Sequence, residues 1–198
     1  MPFDEPPGAQ SFAAASGQHV GACSGDACPT SGVAGRINQA ARFWGDPYNP
    51  DSDDDSIRLP NSEINRLTND FTLAAWIKPS TLRANYESTL LSTGDCNGGG
   101  FSFYLDGAEL RLETNGVKEY ASGFDLTEGR WAHVAVVLDG ANDAAFYVNG
   151  TQVSPDLLGT GERRAAFPEA HAFLIAADGN ATWPDHSQPG DWLLIEGQ

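Results

Sequence analysis

At 198 residues, 40% of them hydrophobic and 19% charged, the chain has a globular balance and enough length to bury a core of its own. The 27 acidic residues outnumber 11 Lys and Arg, for a formal net charge of -16; the bases form no cluster, which argues against a nucleic-acid partner. No apolar run approaches the roughly 20 residues of a membrane-spanning helix, which excludes helical insertion.

The N-terminus, Met1-Pro2-Phe3-Asp4-Glu5, is acidic where a signal peptide is basic. It reads as the start of an excised fragment, with any export signal upstream. Cys23 and Cys28 enclose the short loop Ser24-Gly25-Asp26-Ala27, which can close into a disulfide and so points to an extracellular setting. Cys96 is left over. Three free thiols in a cytosolic protein are the alternative reading.

From Trp44 to Ser56 the chain is rich in Asp and Pro, and this stretch is expected to be an acidic surface loop inserted in a single domain over residues 1–198. The alternate aspartates of Asp51-Ser52-Asp53-Asp54-Asp55 match the start of an EF-hand loop. The Gly and closing Glu are missing at the required offsets, so the run reads as solvated. Ser62 to Leu67 can form a short turn of helix with Ser62 as its cap.

Beyond this point strand patterns dominate. Phe71 to Ile77 alternates, with Phe71, Leu73, Ala75 and Ile77 on one face. Strands are expected at Thr89–Thr93, Phe101–Leu105 and Glu109–Thr114, the last two joined by a hairpin through Asp106-Gly107. Trp131–Leu138 is apolar on both faces and should lie centrally. Ala144–Val148 returns, and Asn149-Gly150 turns tightly into Thr151–Val153. His171–Ala176 and Trp192–Ile195 are two further apolar runs. A dozen or so candidate strands without a long helix predict an all-β, antiparallel two-sheet sandwich.

Four segments in order, Ala40–Phe43, DFTLAAWIKP at Asp70–Pro79, GRWAHVAVVLDG at Gly129–Gly140 and AFYVNGTQV at Ala145–Val153, resemble the laminin-G-like jellyroll of the concanavalin A-like lectin and pentraxin group. The opening, with Phe3-Asp4-Glu5-Pro6 and the Cys23–Cys28 segment, looks like modules found in tandem in bacterial surface proteins. In such domains a strand of the form Ile-Asp-Glu-Val-Arg-Ile-Tyr follows the segment matching Trp192–Gln198. Here the sequence stops at Gln198, so the sheet is expected either to lack its last strand or to borrow one. An unpaired edge of that kind invites self-association.

The resemblance implies a calcium site shared by two loops, Gly94-Asp95-Cys96-Asn97 and Ala177-Asp178-Gly179-Asn180. Asp95, Asn97, Asp178 and Asn180 carry over position by position, with Asp185 as a further oxygen donor, since Ca2+ takes six to eight oxygens. The same residue types also serve simply as turn formers. Trp44, Tyr48, Trp183 and Trp192 sit in or beside loops, where a ring can stack on a sugar; Trp183 and Tyr48 are the candidate ligand contacts. Trp76 and Trp131 lie inside strand patterns and read as core.

The enzyme reading is weak, although the fold hosts glycosidases. Glu109, Glu113 and Glu119 are the nearest approach to a carboxylate pair, but Arg111 lies between the first two and no Glu-x-Asp-x-x-Glu pattern completes them. They read as a solvated hairpin face. His133 reads as a core residue, and His171 and His186 have no nucleophile motif beside them. The Asn149-Gly150-Thr151 and Asn180-Ala181-Thr182 triplets match a glycosylation acceptor, a weak signal. The expectation is therefore a non-catalytic, extracellular, calcium-dependent module that binds a glycan or cell-surface ligand. The alternative is a structural repeat or strand-donating subunit of a surface fibre.

Overall fold

The computed structural model describes residues 1–45, 55–59, 70–82, 84, 87–95, 99–114, 118–139, 144–153, 156–157, 173–175 and 190–196. The strands run β1 (Ser11–Ala13), β2 (Val20–Ala22), β3 (Thr30–Ala34), β4 (Gln39–Gly45), β5 (Ile57–Leu59), β6 (Phe71–Pro79), β7 (Glu87–Asp95) and β8 (Gly99–Asp106). They continue with β9 (Glu109–Thr114), β10 (Lys118–Asp125), β11 (Ala132–Leu138), β12 (Ala144–Val148), β13 (Thr151–Val153), β14 (Asp156–Leu157), β15 (Phe173–Ile175) and β16 (Gly190–Glu196). A single 3-10 turn at Gly25–Ala27 interrupts them, and the described residues include no α-helix. Among these residues, no helix is long and apolar enough to cross a membrane.

All pairings are antiparallel and give a nine-stranded sheet, β1-β2-β5-β15-β7-β8-β9-β10-β14, and a seven-stranded one, β13-β12-β11-β6-β16-β4-β3. Period-two alternation puts one face of each strand inside. From the first sheet Phe12, Ile57, Leu90, Phe101, Phe103, Leu110 and Leu112 turn inward; Phe43, Leu73, Ile77, Val134, Val136 and Phe146 meet them from the second, in one hydrophobic core. Each such side chain contributes roughly 1.5–3 kcal/mol through burial. The all-β antiparallel sandwich is the fold expected from the sequence.

Turn chemistry sets the register where the sequence is most explicit. Asn149 and Gly150 both adopt positive φ, 51° and 79°, as a two-residue type I′ hairpin requires. β11 is central, paired to β6 on one side and β12 on the other.

β16, over the apolar run read at Trp192–Ile195, lies between β4 and β6, with Ile195 opposite both Ala41 and Ile77. The N-terminal residues 4–9, not anticipated as structural, form a strap across one side of the sandwich. Asp4 accepts from the Gln39 N–H (3.1 Å), Glu5 from the Ala13 N–H (3.0 Å), and the Ser31 hydroxyl donates to the Pro6 carbonyl (2.8 Å) while accepting from the Ala9 N–H (2.9 Å). These bonds reach β1 and β3, an outermost strand of each sheet. Phe3 anchors the strap in the core, with ring centroids 6.0 Å from Phe12 and 6.5 Å from Phe43.

The Ser62–Leu67 turn lies outside the described residues. The acidic segment is described only at its ends, and there it corrects the loop assignment. Trp44 still belongs to β4, and Asp55, expected to be solvated, is 5% exposed. Its carboxylate accepts from the Trp44 N–H at 2.7 Å. A carboxylate bonded to backbone donors can be buried because its charge is satisfied.

Candidate functional site

The β8–β9 hairpin carries a cluster of linked polar side chains. Register pairs Tyr104 with Arg111 and Asp106 with Glu109, and β10 adds Glu119 beside them. These positions alternate with the buried Phe103, Leu105, Leu110 and Leu112, so they share the outer face of the nine-stranded sheet.

Arg111 is the hub. Its guanidinium meets Asp106 at 2.8 Å, Glu119 at 2.9 Å and Glu109 at 3.0 Å, and its Nε also donates to Glu109 at 3.1 Å. The Tyr104 hydroxyl donates to Glu119 at 2.8 Å. The other Glu109 oxygen accepts from the Gly123 N–H at 3.0 Å, at an irregularity between Ala121 and Asp125 where β10 slips register against β9. Gly123 has φ 65°, a left-handed conformation that glycine adopts without strain. Phe124, next in the bulge, is 40% exposed.

Electrostatics follow the geometry. Burial pushes the Tyr104 phenol up, and its hydrogen bond to Glu119 and the charges of Glu119, Glu87 and Glu113 push the same way. Burial disfavours the Arg111 charge, but the bond to Glu109 and the charges of Asp106 and Glu119 outweigh it, so the guanidinium holds its proton more firmly than usual. Asp106, Glu109, Arg111 and Glu119 keep 22–33% of their side-chain surface exposed, enough for a ligand to reach their outer edges.

Sequence reasoning took Glu109, Glu113 and Glu119 for a solvated face. The structure corrects this for Glu109 and Glu119, which are held by Arg111. The available signal was Arg111 itself, a lone base at an alternating position among acids. A glycosidase pair needs one carboxyl to give a proton while the other attacks or activates water. Two carboxylates bonded to the same guanidinium form a charge-holding network instead.

The expected calcium residues are scarcely reached. Asp95 is the last residue of β7, opposite Gly99 in register. Asn97, Asp178, Asn180 and Asp185 lie outside the described residues, as do the ligand candidates Trp183 and Tyr48, along with His171 and His186. β15 runs antiparallel to β7 with Ile175 opposite Leu91, so its C-terminal end points toward Glu87. Four residues of strand, roughly 13 Å, separate Leu91 from Asp95. Among the described residues no group of three or more His, Cys, Asp or Glu is arranged to hold a metal.

Other assignments are resolved directly. Cys23 and Cys28 form the expected disulfide, with Cα atoms 5.0 Å apart. Trp44 is a strand residue, 38% exposed; Trp192 falls in β16. Trp76 and His133 are not core residues. Both are half-buried, opposite each other in register on β6 and β11, on the face away from Ala75, Ile77 and Val134. The parity that buries Phe71, Leu73, Ala75 and Ile77 necessarily turns Trp76 outward. Trp131, just before β11, is likewise half-buried.

A family model described as the concanavalin A-like lectin/glucanases superfamily, of laminin-G type, matches residues 51–190. No curated protein matches the chain in sequence. Among solved structures, the binding domain of Paraclostridial Mosquitocidal Protein 1 is 15% identical, with 98% of this chain and 48% of that chain covered and a TM-score of 0.60. A Trypanosoma rangeli sialidase mutant displaying trans-sialidase activity is 16% identical, over 97% of this chain and 28% of that one, at 0.59. Domain 4 of AbnA, an extracellular arabinanase from Geobacillus stearothermophilus in complex with arabinotriose, is 19% identical, over 84% and 74%, at 0.50. The chain thus spans under half the length of the first two. At these identities the likeness is one of fold.

Proposed function

The chain belongs to the concanavalin A-like lectin/glucanase superfamily, and we propose that it is a non-catalytic module that binds a glycan or glycan-bearing cell-surface ligand outside the cell. The observation that carries this reading is the Arg111 network on the outer face of the nine-stranded sheet. Ligand sites use a few polar groups fixed in advance on rigid elements. Here one guanidinium orients three carboxylates on adjacent strands, so a sugar meets preset acceptors for its hydroxyls at little ordering cost. The exposed Phe124 beside them offers an aromatic surface. Two neighbours of the same fold support the reading by kind, one being a binding domain and the other holding arabinotriose. The Cys23–Cys28 disulfide supports an oxidising compartment.

Calcium dependence is a separate part of the proposal and rests on oxygen-rich positions at Asp95 and Asn97 and at Asp178, Asn180 and Asp185. Because β15 itself runs antiparallel to β7, with Ile175 opposite Leu91, each loop is to be tested singly. Calorimetric titration of chelator-stripped protein, with Asp95→Asn and Asp178→Asn variants, identifies the loop that binds. The absence of any calcium heat removes this part and leaves the glycan reading standing.

A glycan array with and without calcium tests the main proposal. Folded wild-type protein is expected to bind, and Arg111→Met to lose at least tenfold in affinity. A folded protein that binds no glycan in either condition overturns it; filaments seen by electron microscopy would then favour the fibre-repeat alternative.

A further inference from the structure

Register lays out the outer face of β7–β10 in rows. Glu87, Asp106, Glu109 and Asp125 stand opposite one another in turn, one from each strand. The next row holds Tyr104 and Arg111, and the row beyond sets Glu113 opposite Glu119. Among the described residues of these strands, six carboxylates thus share the face with one base, Arg111. The other base on them, Lys118, pairs with Thr114, which is 1% exposed, and so has the parity of the inner face. Arg58 points outward on β5, which β15, β7 and β8 separate from β9.

Arg111 does not make this face a site for anions. Its Nε and Nη2 face Glu109, and its Nη1 faces Glu119 and Asp106, so each guanidinium nitrogen already has a carboxylate. Glu109 and Glu119 still keep 23% and 33% of their side-chain surface exposed. Like charges set directly opposite on neighbouring strands are destabilising. That holds here for Glu87 with Asp106, Asp106 with Glu109, Glu109 with Asp125 and Glu113 with Glu119. The same field reaches Tyr104, whose phenol is pushed up by burial, by its bond to Glu119 and by the charges of Glu119, Glu87 and Glu113. Beside the rows, Phe124 is 40% exposed at the β10 irregularity, next to Asp125.

We propose that the ligand of this face is a saccharide bearing protonated amino groups. An ammonium brings three donors and no acceptor, which matches rows of acceptor-only carboxylates. Neighbouring strands lie about 4.8 Å apart, so one ammonium can bridge two carboxylates of a row. The row across four strands, roughly 14 Å long, has room for a short oligosaccharide. Phe124 offers its ring to a sugar face or to an ammonium. Bound ammonium groups relieve the repulsion between the carboxylates, so binding and stability rise together. This inference rests on the glycan-binding reading of the same face and names its ligand class.

The probe is a glucosamine tetrasaccharide, with its fully N-acetylated counterpart as the neutral control. Each is titrated calorimetrically against the intact chain in a mildly acidic buffer that keeps the amines protonated. The amino sugar is expected to bind about tenfold more tightly than the acetylated one, with the gap narrowing as salt rises. A Glu87→Gln, Asp125→Asn double variant changes two exposed positions, neither of which touches Arg111. It should lose about tenfold in affinity for the amino sugar and leave that for the acetylated sugar unchanged. Equal binding of both sugars by the folded wild type overturns the ligand class and leaves the glycan reading standing. Spermidine bound as tightly as the amino sugar overturns the saccharide, and an unchanged double variant overturns the role of the rows. Binding of neither sugar overturns this inference, whereas the glycan reading falls only with a blank glycan array.

Discussion

Asp55 and Trp44 hold each other from the two ends of the acidic segment. The Trp44 N–H donates to the Asp55 carboxylate at 2.7 Å, and the Asp55 N–H donates back to the Trp44 carbonyl at 2.9 Å. The Ser56 N–H then donates to the Ala27 carbonyl at 2.9 Å, which ties this clamp to the disulfide loop. Asp55 thus ends the aspartate run as a structural anchor. Asp55→Ala removes a charged acceptor and leaves the Trp44 N–H unpaired, a loss of about 2–3 kcal/mol. Asp55→Asn keeps an acceptor and should lose less. Urea unfolding of both variants checks this, and an Asp55→Ala midpoint equal to wild type rules the clamp out as a source of stability.

Arg111 should matter to stability as well as binding. Replacing it with Met leaves Asp106, Glu109 and Glu119 facing one another with no cation. Because these groups are partly exposed, the expected cost is intermediate between a surface and a buried pair, about 1–3 kcal/mol. Salt screens the repulsion left behind, so the cost should shrink as ionic strength rises. Denaturation at low and high salt measures the difference; an unchanged cost would show that packing, and not charge, is at stake.

The sandwich was legible because its strands carry strong period-two signals. Glu109–Thr114, Ala144–Val148 and Thr151–Val153 match the expected bounds, and Asn149-Gly150 fixes its own turn. The three-residue strands β1, β2 and β5 were not legible: pairing partners hold them, and a run that short has no periodicity to read. Trp76 was misplaced because hydrophobicity was weighed above parity, although Phe71, Leu73, Ala75 and Ile77 had already assigned the inner face. The Arg111 network needs three strands in register, and cross-strand neighbours such as Tyr104 and Arg111 are not adjacent in sequence.

Tyr104 makes a prediction in alkaline solution. Its phenol is pushed up in the folded state by burial first and by Glu119 next, whereas the unfolded chain ionises near pH 10. Below about pH 10 both states hold the proton, and the folded state keeps its full advantage at this group. Above that pH only the unfolded state releases the proton, so stability falls as pH rises. Tyr104 should therefore ionise only as the protein unfolds, contributing to a late step in phenolate absorbance. Tyr104→Phe should lower the amplitude of that step; an unchanged amplitude would assign it to another tyrosine.

The Cys23–Cys28 disulfide closes a short loop, with a sequence separation of 5. The chain-entropy relation gives such a small ring about 2 kcal/mol. A Cys23→Ser, Cys28→Ser double variant should unfold at correspondingly lower urea and still retain the β-sheet signal, because the core lies mainly in the larger strands. Loss of the fold would mean that the bridge positions β2 and β5, not merely that it shortens a loop.

Gly32 tests whether the N-terminal strap guards the sheet edge. It has φ +74°, and a Cβ there would lie 2.6 and 2.7 Å from the Pro7 ring carbons and 2.8 Å from the Pro7 nitrogen. The strap backbone would have to move, because a proline ring cannot turn aside. Gly25 also has positive φ, +59°, but nothing lies within 4 Å of its Cβ position. Both Gly→Ala changes carry the conformational strain of about 1 kcal/mol or more, and only Gly32→Ala adds the clash. The difference in unfolding free energy between the two variants therefore measures the strap contact. If Gly32→Ala lifts the strap from Ser31, it also bares the β3 edge, and a bare edge pairs with other chains. Size-exclusion chromatography at rising concentration should show association for Gly32→Ala and not for Gly25→Ala. Equal unfolding energies, with both variants eluting alike, would mean that the edge is kept apart from other chains by something other than residues 4–9.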